Sequence, residues 1–224
     1  AELVLQKALD LALHQLVEKH GQPLGRSPDG EVGQFAIIAY GKLGGIELAY
    51  GSDLDLVFVF DGDIHGNTDG EKSINNNVFV SRLAQRIIHL VTTFTRFGAL
   101  YEVDLRLRPS GKKGPIVTTI QAFDRYLRND AWTWEHQALV RARFVAGDQT
   151  LGEKFNEVRA RVLALPRGLE KLKSDVISMR EKMRYHIYSD SSAEINEDPG
   201  VLLPEFDLKH DIGAIVDIEF MVQY

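Results

Sequence analysis

Two aspartates at the start of an apolar strand constrain this sequence more than any other feature. From Asp53 to Phe60, leucine and phenylalanine fill every second position, and Asp53 and Asp55 lie among the positions between them. Because successive side chains of a strand point to opposite faces, the pattern predicts two carboxylates side by side on one face. Two carboxylates about 4 Å apart repel by roughly 4 kcal/mol at an effective dielectric near 20, and a divalent cation relieves that repulsion. Magnesium prefers such oxygen ligands and shares them with phosphate.

A third aspartate, Asp104, lies in another predicted strand. Residues 101–107 alternate between apolar and polar side chains, with Asp104 among the polar ones. If this strand pairs beside the one that starts at Asp53, three carboxylates meet, and three such groups can hold two metal ions. An Asp-x-Asp pattern alone more often belongs to a solvated face or a turn, so the metal interpretation depends on the residues around it.

Groups suited to phosphate surround these carboxylates. They comprise a glycine pair between two predicted strands, a serine, two arginines and two lysines: Gly44, Gly45, Ser52, Arg106, Arg108, Lys112 and Lys113. Backbone N–H groups at glycines can approach phosphate closely, and a hydroxyl adds a further donor. Carboxylates for a metal beside cations for phosphate are typical of phosphoryl or nucleotidyl transfer. The P-loop, GxGxxG and HExxH patterns are absent, which disfavours the P-loop, dinucleotide-binding, kinase and zinc-hydrolase classes.

Composition narrows the functional classes further. A net charge of -6 argues against a general nucleic-acid binder, which needs a basic surface. The absence of cysteine excludes disulfides, thiolate metal sites and a cysteine nucleophile, and it predicts a cytoplasmic protein. The apolar stretch from Leu3 to Val17 is too interrupted for a signal peptide or a membrane span, and its spacing predicts an amphipathic helix. Because the sequence starts within this helix and ends within an apolar run, we expect a piece of a longer protein.

The order of the predicted elements favours an α+β fold. Strands are predicted at 35–39, 53–60 and 101–107, and helices at 73–95, 120–127, 131–142, 150–165 and 169–188. We therefore expect a small mixed sheet that carries the carboxylates, followed by a helical domain. The catalytic domain, with the N-terminal helix, is expected at 1–145, and a truncated helical domain at 146–224. Residues 206–224 are predicted to form a strand pair or a strand leading into a helix, and Asp217 and Glu219 share a face only if their stretch is a strand.

Longer strings give the sequence a resemblance to known proteins. A Gly-Gly turn, an Asp-x-Asp strand and a lone aspartate on a later strand resemble the polymerase β-like nucleotidyltransferase superfamily. The strings from Tyr40 to Phe58 and from Asp104 to Gly111 closely resemble the glutamine synthetase adenylyltransferase family. Its bifunctional members carry two related domains, one that attaches AMP to a tyrosine of glutamine synthetase and one that removes it by phosphorolysis. The string from Trp132 to Arg143 resembles the C-terminal, adenylylating copy.

The resemblance implies an enzyme that transfers AMP from ATP to a tyrosine of glutamine synthetase, releases pyrophosphate and regulates nitrogen assimilation. It assigns Asp53, Asp55 and Asp104 as the catalytic, metal-binding carboxylates, which would hold two Mg²⁺ ions. It places Gly44, Gly45 and Ser52 in the turn that faces the triphosphate. We add Arg106 and Arg108, which either steady phosphate or orient Asp104. Family membership also implies regulation by glutamine and a PII-type signalling protein, and neither a nucleic acid nor a membrane is expected as a partner.

Several alternatives stay open at this point. The nearest is the de-adenylylating copy, which has the same metals and phosphate as the acceptor. The others are a nucleic-acid nucleotidyltransferase and a non-catalytic module that binds nucleotide or a partner. Among further residues, Lys42 either reaches phosphate or is an ordinary surface lysine. We predict that Trp132 and Trp134 are core residues rather than a base-stacking platform, and that Glu135, Arg141 and Arg143 form an ion-pair set on a helix.

Overall fold

A computed structural model describes residues 1–25, 31–191 and 207–222. Its elements, in chain order, are α1 (Glu2–His20), β1 (Gln34–Ala39), α2 (Gly41–Gly44), β2 (Leu54–Asp61), α3 (Asn76–Thr92), β3 (Val103–Asp104), β4 (Val117–Thr119), α4 (Ile120–Asn129), α5 (Thr133–Val140), β5 (Arg143–Gly147), α6 (Gln149–Leu163), α7 (Leu169–Ser191) and α8 (Ile215–Val222). A short 3-10 turn, Gly111–Lys113, lies between β3 and β4. The small sheet with helices confirms the predicted α+β class.

The chain forms two compact units. The first comprises residues 1–131 and 141–164 and contains the whole sheet, and the second comprises residues 132–140 and the described residues from 165 onward. The second unit consists of the helices α5, α7 and α8 and their connections. The assignment of a catalytic domain to 1–145 and a helical domain to 146–224 stays a prediction. No helix in the described ranges has the length and apolarity needed to cross a membrane.

The sheet is mixed, and its pairing places the starts of two strands side by side. Its strand order is β3-β2-β1-β5, with β1 antiparallel to both β2 and β5. The strands β3 and β4 both pair in parallel with β2, β3 at its start and β4 near its end. Because parallel strands run in one direction, the loops that precede β2 and β3 reach the same edge of the sheet.

The apolar face of β2 lies at the centre of the first unit's core. Leu54, Leu56, Phe58 and Phe60 are all buried there, in a cluster that includes apolar residues of α1 and α3. Burial of each such side chain contributes roughly 1.5–3 kcal/mol to the stability of the folded state. Val57 and Val59 are buried on the opposite face. The start of that face, at Asp53 and Asp55, remains accessible, because Asp53 is exposed and Asp55 is half-buried.

The third predicted strand is shorter than the alternation indicates. We predicted a strand over residues 101–107, and the structure confines it to Val103–Asp104. Asp104 Oδ1 accepts the backbone N–H of Arg106 at 2.7 Å, and the backbone N–H of Arg108 donates to the Leu105 carbonyl at 3.3 Å. These local hydrogen bonds turn the chain away from the sheet, since a side chain that accepts a nearby backbone N–H competes with the strand ladder.

The C-terminal segment is helical where the structure describes it. Residues 207–213 form turns and Ile215–Val222 form α8, so the prediction of a strand pair is wrong for this stretch. Phe206 and residues 223–224 lie outside the described residues. Asp217 accepts a hydrogen bond from Arg180 Nε at 2.5 Å and another from the Gly213 N–H at 2.7 Å. The Gly213 bond links the preceding turn to the first residues of the helix. Because Asp217 and Glu219 both lie in α8, they do not share a strand face.

Two predictions about the segment around α5 are wrong. Trp132 is 71% exposed and therefore not a core residue, whereas Trp134 is half-buried. Trp132 precedes the helix, and its backbone N–H donates to Glu135 Oε2 at 2.9 Å. The helix ends at Val140, so Arg141 and Arg143 do not lie on it. Arg141 pairs with Glu47, and Arg143 pairs with Glu2 at 2.7 Å.

Candidate metal centre

The parallel pairing of β2 with β3 brings three aspartates together. Its register places Asp55 directly beside Asp104, and the Leu54 N–H donates to the Glu102 carbonyl at 2.9 Å. Asp53 precedes β2 by one residue. One carboxylate oxygen from each of Asp53, Asp55 and Asp104 lies within 4.8 Å of the other two. The structure thus unites two carboxylates that are neighbours in sequence with one that is about fifty residues away.

This proximity changes the ionisation of Asp55. Burial, with the negative charges of Asp53 and Asp104, raises the pKa of Asp55 to about 6. The cations of Arg106 and Lys42 oppose the increase without cancelling it. The charged form of Asp55 is therefore disfavoured both by burial and by the two neighbouring carboxylates. A bound divalent cation would supply compensating positive charge.

Asp104 has the opposite shift because Arg106 binds it. Burial alone would raise the pKa of Asp104, but hydrogen bonds and charge from Arg106, with the charge of Lys112, outweigh burial and lower it. The Arg106 backbone N–H donates to Oδ1 at 2.7 Å, while its Nε and Nη2 lie 2.6 and 2.5 Å from Oδ2. The same interaction raises the pKa of Arg106. Asp104 is therefore a fixed, charged carboxylate.

The donor set of this site suits a hard divalent cation. All three groups are carboxylates, and histidine and cysteine are absent from the cluster. Oxygen-only donor sets favour Mg²⁺, Ca²⁺ or Mn²⁺ over zinc or copper. Because Asp53 is exposed and the other two carboxylates are only half-buried, a cation held there keeps coordination positions for water or for phosphate.

A glycine that the sequence analysis did not select shapes one wall of the site. Gly41 begins α2 with a positive φ of 51°, and a Cβ at this position would lie 2.2 Å from Asp55 Oδ2. The preceding Tyr40 N–H donates to the Asp55 carbonyl at 2.9 Å. Gly41 is therefore the residue that lets the backbone pass against the Asp55 carboxylate. In the sequence this glycine follows a predicted buried strand by two residues, but its approach to Asp55 is visible only in the fold.

The glycine pair and the serine of the predicted phosphate turn have structural contacts of their own. A Cβ on Gly44 would lie 2.2 Å from the Arg141 carbonyl and 2.8 Å from the Ala39 carbonyl, so this position requires glycine for packing. The Gly45 N–H donates to the Gly41 carbonyl at 3.0 Å. Ser52 is buried, and its Oγ accepts the Ala49 N–H at 3.2 Å. Their predicted role towards a triphosphate stays a prediction.

The two arginines of the candidate site differ in what they bind. Arg106 contacts Asp104, whereas the guanidinium of Arg108 donates to three backbone carbonyls. These are Leu105 at 2.8 Å, Lys112 at 3.2 Å and Gly114 at 3.3 Å. Arg108 thereby closes the basic loop that follows β3, and the charge of Lys112 in that loop acts on Asp104. The structure places Arg106 against Asp104 of the cluster, whereas Arg108 holds the loop that follows β3.

Comparison with known proteins adds independent findings. The family model described as glutamate-ammonia ligase adenylyltransferase matches residues 1–158. The whole chain is 53% identical to the bifunctional glutamine synthetase adenylyltransferase/adenylyl-removing enzyme of Pseudomonas putida. It is 51% identical to the enzyme of the same name from Pseudomonas aeruginosa and 50% identical to that from Idiomarina loihiensis. It covers 23%, 23% and 22% of these relatives, so the chain spans less than a quarter of their length.

Proposed function

Because the chain belongs to the glutamate-ammonia ligase adenylyltransferase family, we propose that it transfers AMP from ATP to a tyrosine of glutamine synthetase and releases pyrophosphate. The observation that carries this proposal is the cluster of Asp53, Asp55 and Asp104 on two parallel strands. A nucleotidyl transfer needs a site that binds cations beside a triphosphate, and these three carboxylates supply it. The relatives' names state both the adenylyltransferase and the adenylyl-removing activity.

The three carboxylates act together in the proposed reaction. Asp53, Asp55 and Asp104 would hold Mg²⁺, which when bound neutralises phosphate charge and favours ionisation of the acceptor hydroxyl. Arg106 keeps Asp104 charged and fixes both of its oxygens. The tyrosine oxygen forms a bond to the α-phosphorus of ATP as the bond from that phosphorus to pyrophosphate breaks. The proton of the tyrosine hydroxyl leaves to solvent or to a carboxylate of the cluster.

Basic groups beside the cluster would stabilise the phosphates. Arg106 is mostly exposed, so its guanidinium can bind a phosphate oxygen while its backbone N–H still holds Asp104. Lys42 and Lys112 add positive charge that already acts on Asp55 and Asp104. Preorganised cations of this kind stabilise the charge that develops during phosphoryl transfer. Gly44, Gly45 and Ser52 are proposed to line the turn that faces the triphosphate.

We propose the adenylylating rather than the removing direction on the resemblance of the string from Trp132 to Arg143. The removing reaction would use the same carboxylates with phosphate as acceptor. A non-catalytic module is disfavoured because all three carboxylates are retained and lie together. Glutamine synthetase is the proposed protein substrate, glutamine and a PII-type protein are proposed regulators, and the cytoplasm is the proposed location.

Transfer of labelled AMP tests the proposed function. The chain would be incubated with glutamine synthetase, Mg²⁺ and ATP labelled at the α-phosphate, with and without EDTA. We expect label on a glutamine synthetase tyrosine, lost with EDTA and lost in the Asp53→Asn variant. Asp130→Asn, which changes an exposed aspartate after α4, is the matched control and should retain transfer. Release of labelled ADP from pre-adenylylated glutamine synthetase supplied with inorganic phosphate, without any transfer, would assign the removing reaction instead.

A further inference from the structure

Five large apolar side chains lie in solvent on the two loops that lead into the catalytic strands. We infer that they form the surface on which glutamine synthetase docks, and this inference rests on the proposed function. The five residues, named here the apolar rim, are Ile46, Tyr50, Phe94, Phe97 and Leu100. Tyr50 is fully exposed, and the two phenylalanines are 83% and 85% exposed. Several large apolar side chains exposed on neighbouring loops mark an interaction site in a soluble protein.

The topology of the sheet brings the two loops together. The loop with Ile46 and Tyr50 leads into β2, and the loop with the other three rim residues leads into β3. Because β2 and β3 are parallel neighbours, both loops end at the same edge of the sheet. Tyr50 and Leu100 line one cavity of about 750 Å³. The two loops therefore share one surface at Tyr50 and Leu100, and Phe97 precedes Leu100 by only three residues.

This surface borders the carboxylate cluster. Tyr50 precedes Asp53 by three residues, and Leu100 precedes Asp104 by four. Even a fully extended chain spans only about 11 Å over three residues and about 14 Å over four. Ser52 lines the same cavity as Tyr50 and adjoins Asp53. A protein that presents a tyrosine to an α-phosphate held at the cluster would therefore contact the rim at Tyr50 and Leu100 first.

The loop that carries the phenylalanines is held rigid by its own hydrogen bonds. Thr95 and Gly98 exchange backbone N–H···O bonds of 2.9 Å in each direction. Thr95 Oγ1 also donates to the Gly98 carbonyl at 2.8 Å and accepts the Phe97 N–H at 3.2 Å. The guanidinium of Arg96 lies 4.6 Å from the Phe97 ring centroid. A loop backbone that is ordered before binding loses little conformational entropy on association.

The backbone at Ile46 gives an independent indication. Ile46 has a φ of 61°, a left-handed conformation that is unfavourable for a β-branched residue. Its side chain is 79% exposed, so burial within this chain does not offset the strain. Strained backbone of this kind clusters at functional sites. An apolar residue in this conformation is explained if its side chain is buried by a bound protein.

Binding and transfer measured on the same variants test the rim. The Phe94→Ser/Phe97→Ser double variant and Tyr50→Ser change only exposed side chains, and thermal unfolding checks that the fold is retained. Binding of glutamine synthetase would be measured by biolayer interferometry without ATP or Mg²⁺. We expect the dissociation constant and the KM for glutamine synthetase to rise at least tenfold, with an unchanged KM for ATP. Leu11→Gln, on the exposed side of α1, is the matched control and should leave both constants unchanged.

Each contrary outcome has a distinct meaning. Unchanged binding in the double variant, or no binding by the unsubstituted chain, would overturn the docking surface. Concentration-dependent dimerisation of the chain that the double variant abolishes, with glutamine synthetase binding intact, would assign the rim to a second copy instead. Binding that depends on the rim without any AMP transfer by the unsubstituted chain would refute the proposed reaction and leave the docking surface standing.

Discussion

Replacing Asp55 by asparagine should stabilise the metal-free protein at neutral and alkaline pH. The pKa of Asp55 is raised from 3.8 to about 6 by burial and by the charges of Asp53 and Asp104. At 1.36 kcal/mol per pKa unit this shift corresponds to about 3 kcal/mol, and partial exposure reduces it to roughly 1–2 kcal/mol. Asparagine has nearly the same shape and carries no charge, so the substitution removes most of this cost.

The pH dependence follows from the sign of the shift. The folded state holds the Asp55 proton up to pH 6, whereas the unfolded chain releases it near pH 3.8. The stabilising contribution of the protonated group is therefore complete below the unfolded pKa and is lost as pH rises through 6. Above that pH the charged carboxylate costs the metal-free fold stability. The advantage of Asp55→Asn should accordingly be greatest near pH 8 and small near pH 4.

Thermal unfolding of both proteins with EDTA or with Mg²⁺ provides the assay. In EDTA at pH 8, we expect the variant to unfold about 2–8 °C above the unsubstituted chain, since 1 kcal/mol corresponds to roughly 2–4 °C at this size. With Mg²⁺, the unsubstituted chain should gain stability and the variant should gain little. A variant less stable than the unsubstituted chain in EDTA at pH 8, or equal gains with Mg²⁺, would refute the reasoning. Asp130→Asn should show neither effect.

Three other substitutions or conditions give testable outcomes. Gly41→Ala should lower Mn²⁺ affinity at least tenfold by titration calorimetry, since its Cβ would lie 2.2 Å from Asp55 Oδ2; unchanged affinity would contradict the close approach. Arg106→Ala should reduce the rate of AMP transfer at least tenfold while Arg106→Lys restores part of it, and equal rates for the alanine variant and the unsubstituted chain would exclude a positioning role for Arg106. Mn²⁺ affinity should fall as pH drops below 6, where Asp55 takes up a proton, and affinity that is constant between pH 5 and pH 8 would argue against Asp55 as a ligand.

The sequence predicted the strand β2 well because its pattern is local. The alternation from Asp53 to Phe60 predicted which side chains of β2 reach the core and which face carries the carboxylates. The sequence predicted that Asp104 lies beside Asp53 and Asp55 only if β3 pairs with β2. That pairing depends on about fifty intervening residues, so the local pattern does not determine it. The α+β class was also predictable from local patterns, because it depends only on the order in which strongly patterned strand and helix segments follow one another.

The errors arose where side chains bind the backbone or where burial depends on distant elements. The predicted strand over residues 101–107 stops at Asp104, because this aspartate accepts a nearby backbone N–H. Trp132 was predicted to be a core residue, yet it precedes a helix and is exposed. Gly41 was missed because its role depends on the position of the Asp55 carboxylate, which a one-dimensional pattern does not contain.

Crystals grown with Mn²⁺ and a non-hydrolysable ATP analogue would test the central claim most directly. Anomalous scattering locates manganese without reference to the protein coordinates. We predict manganese peaks within coordination distance of Asp53, Asp55 and Asp104, with the phosphates of the analogue beside them and Arg106 within hydrogen-bonding distance. Ordered nucleotide elsewhere, with no manganese among these three carboxylates, would contradict their assignment as the metal centre for AMP transfer.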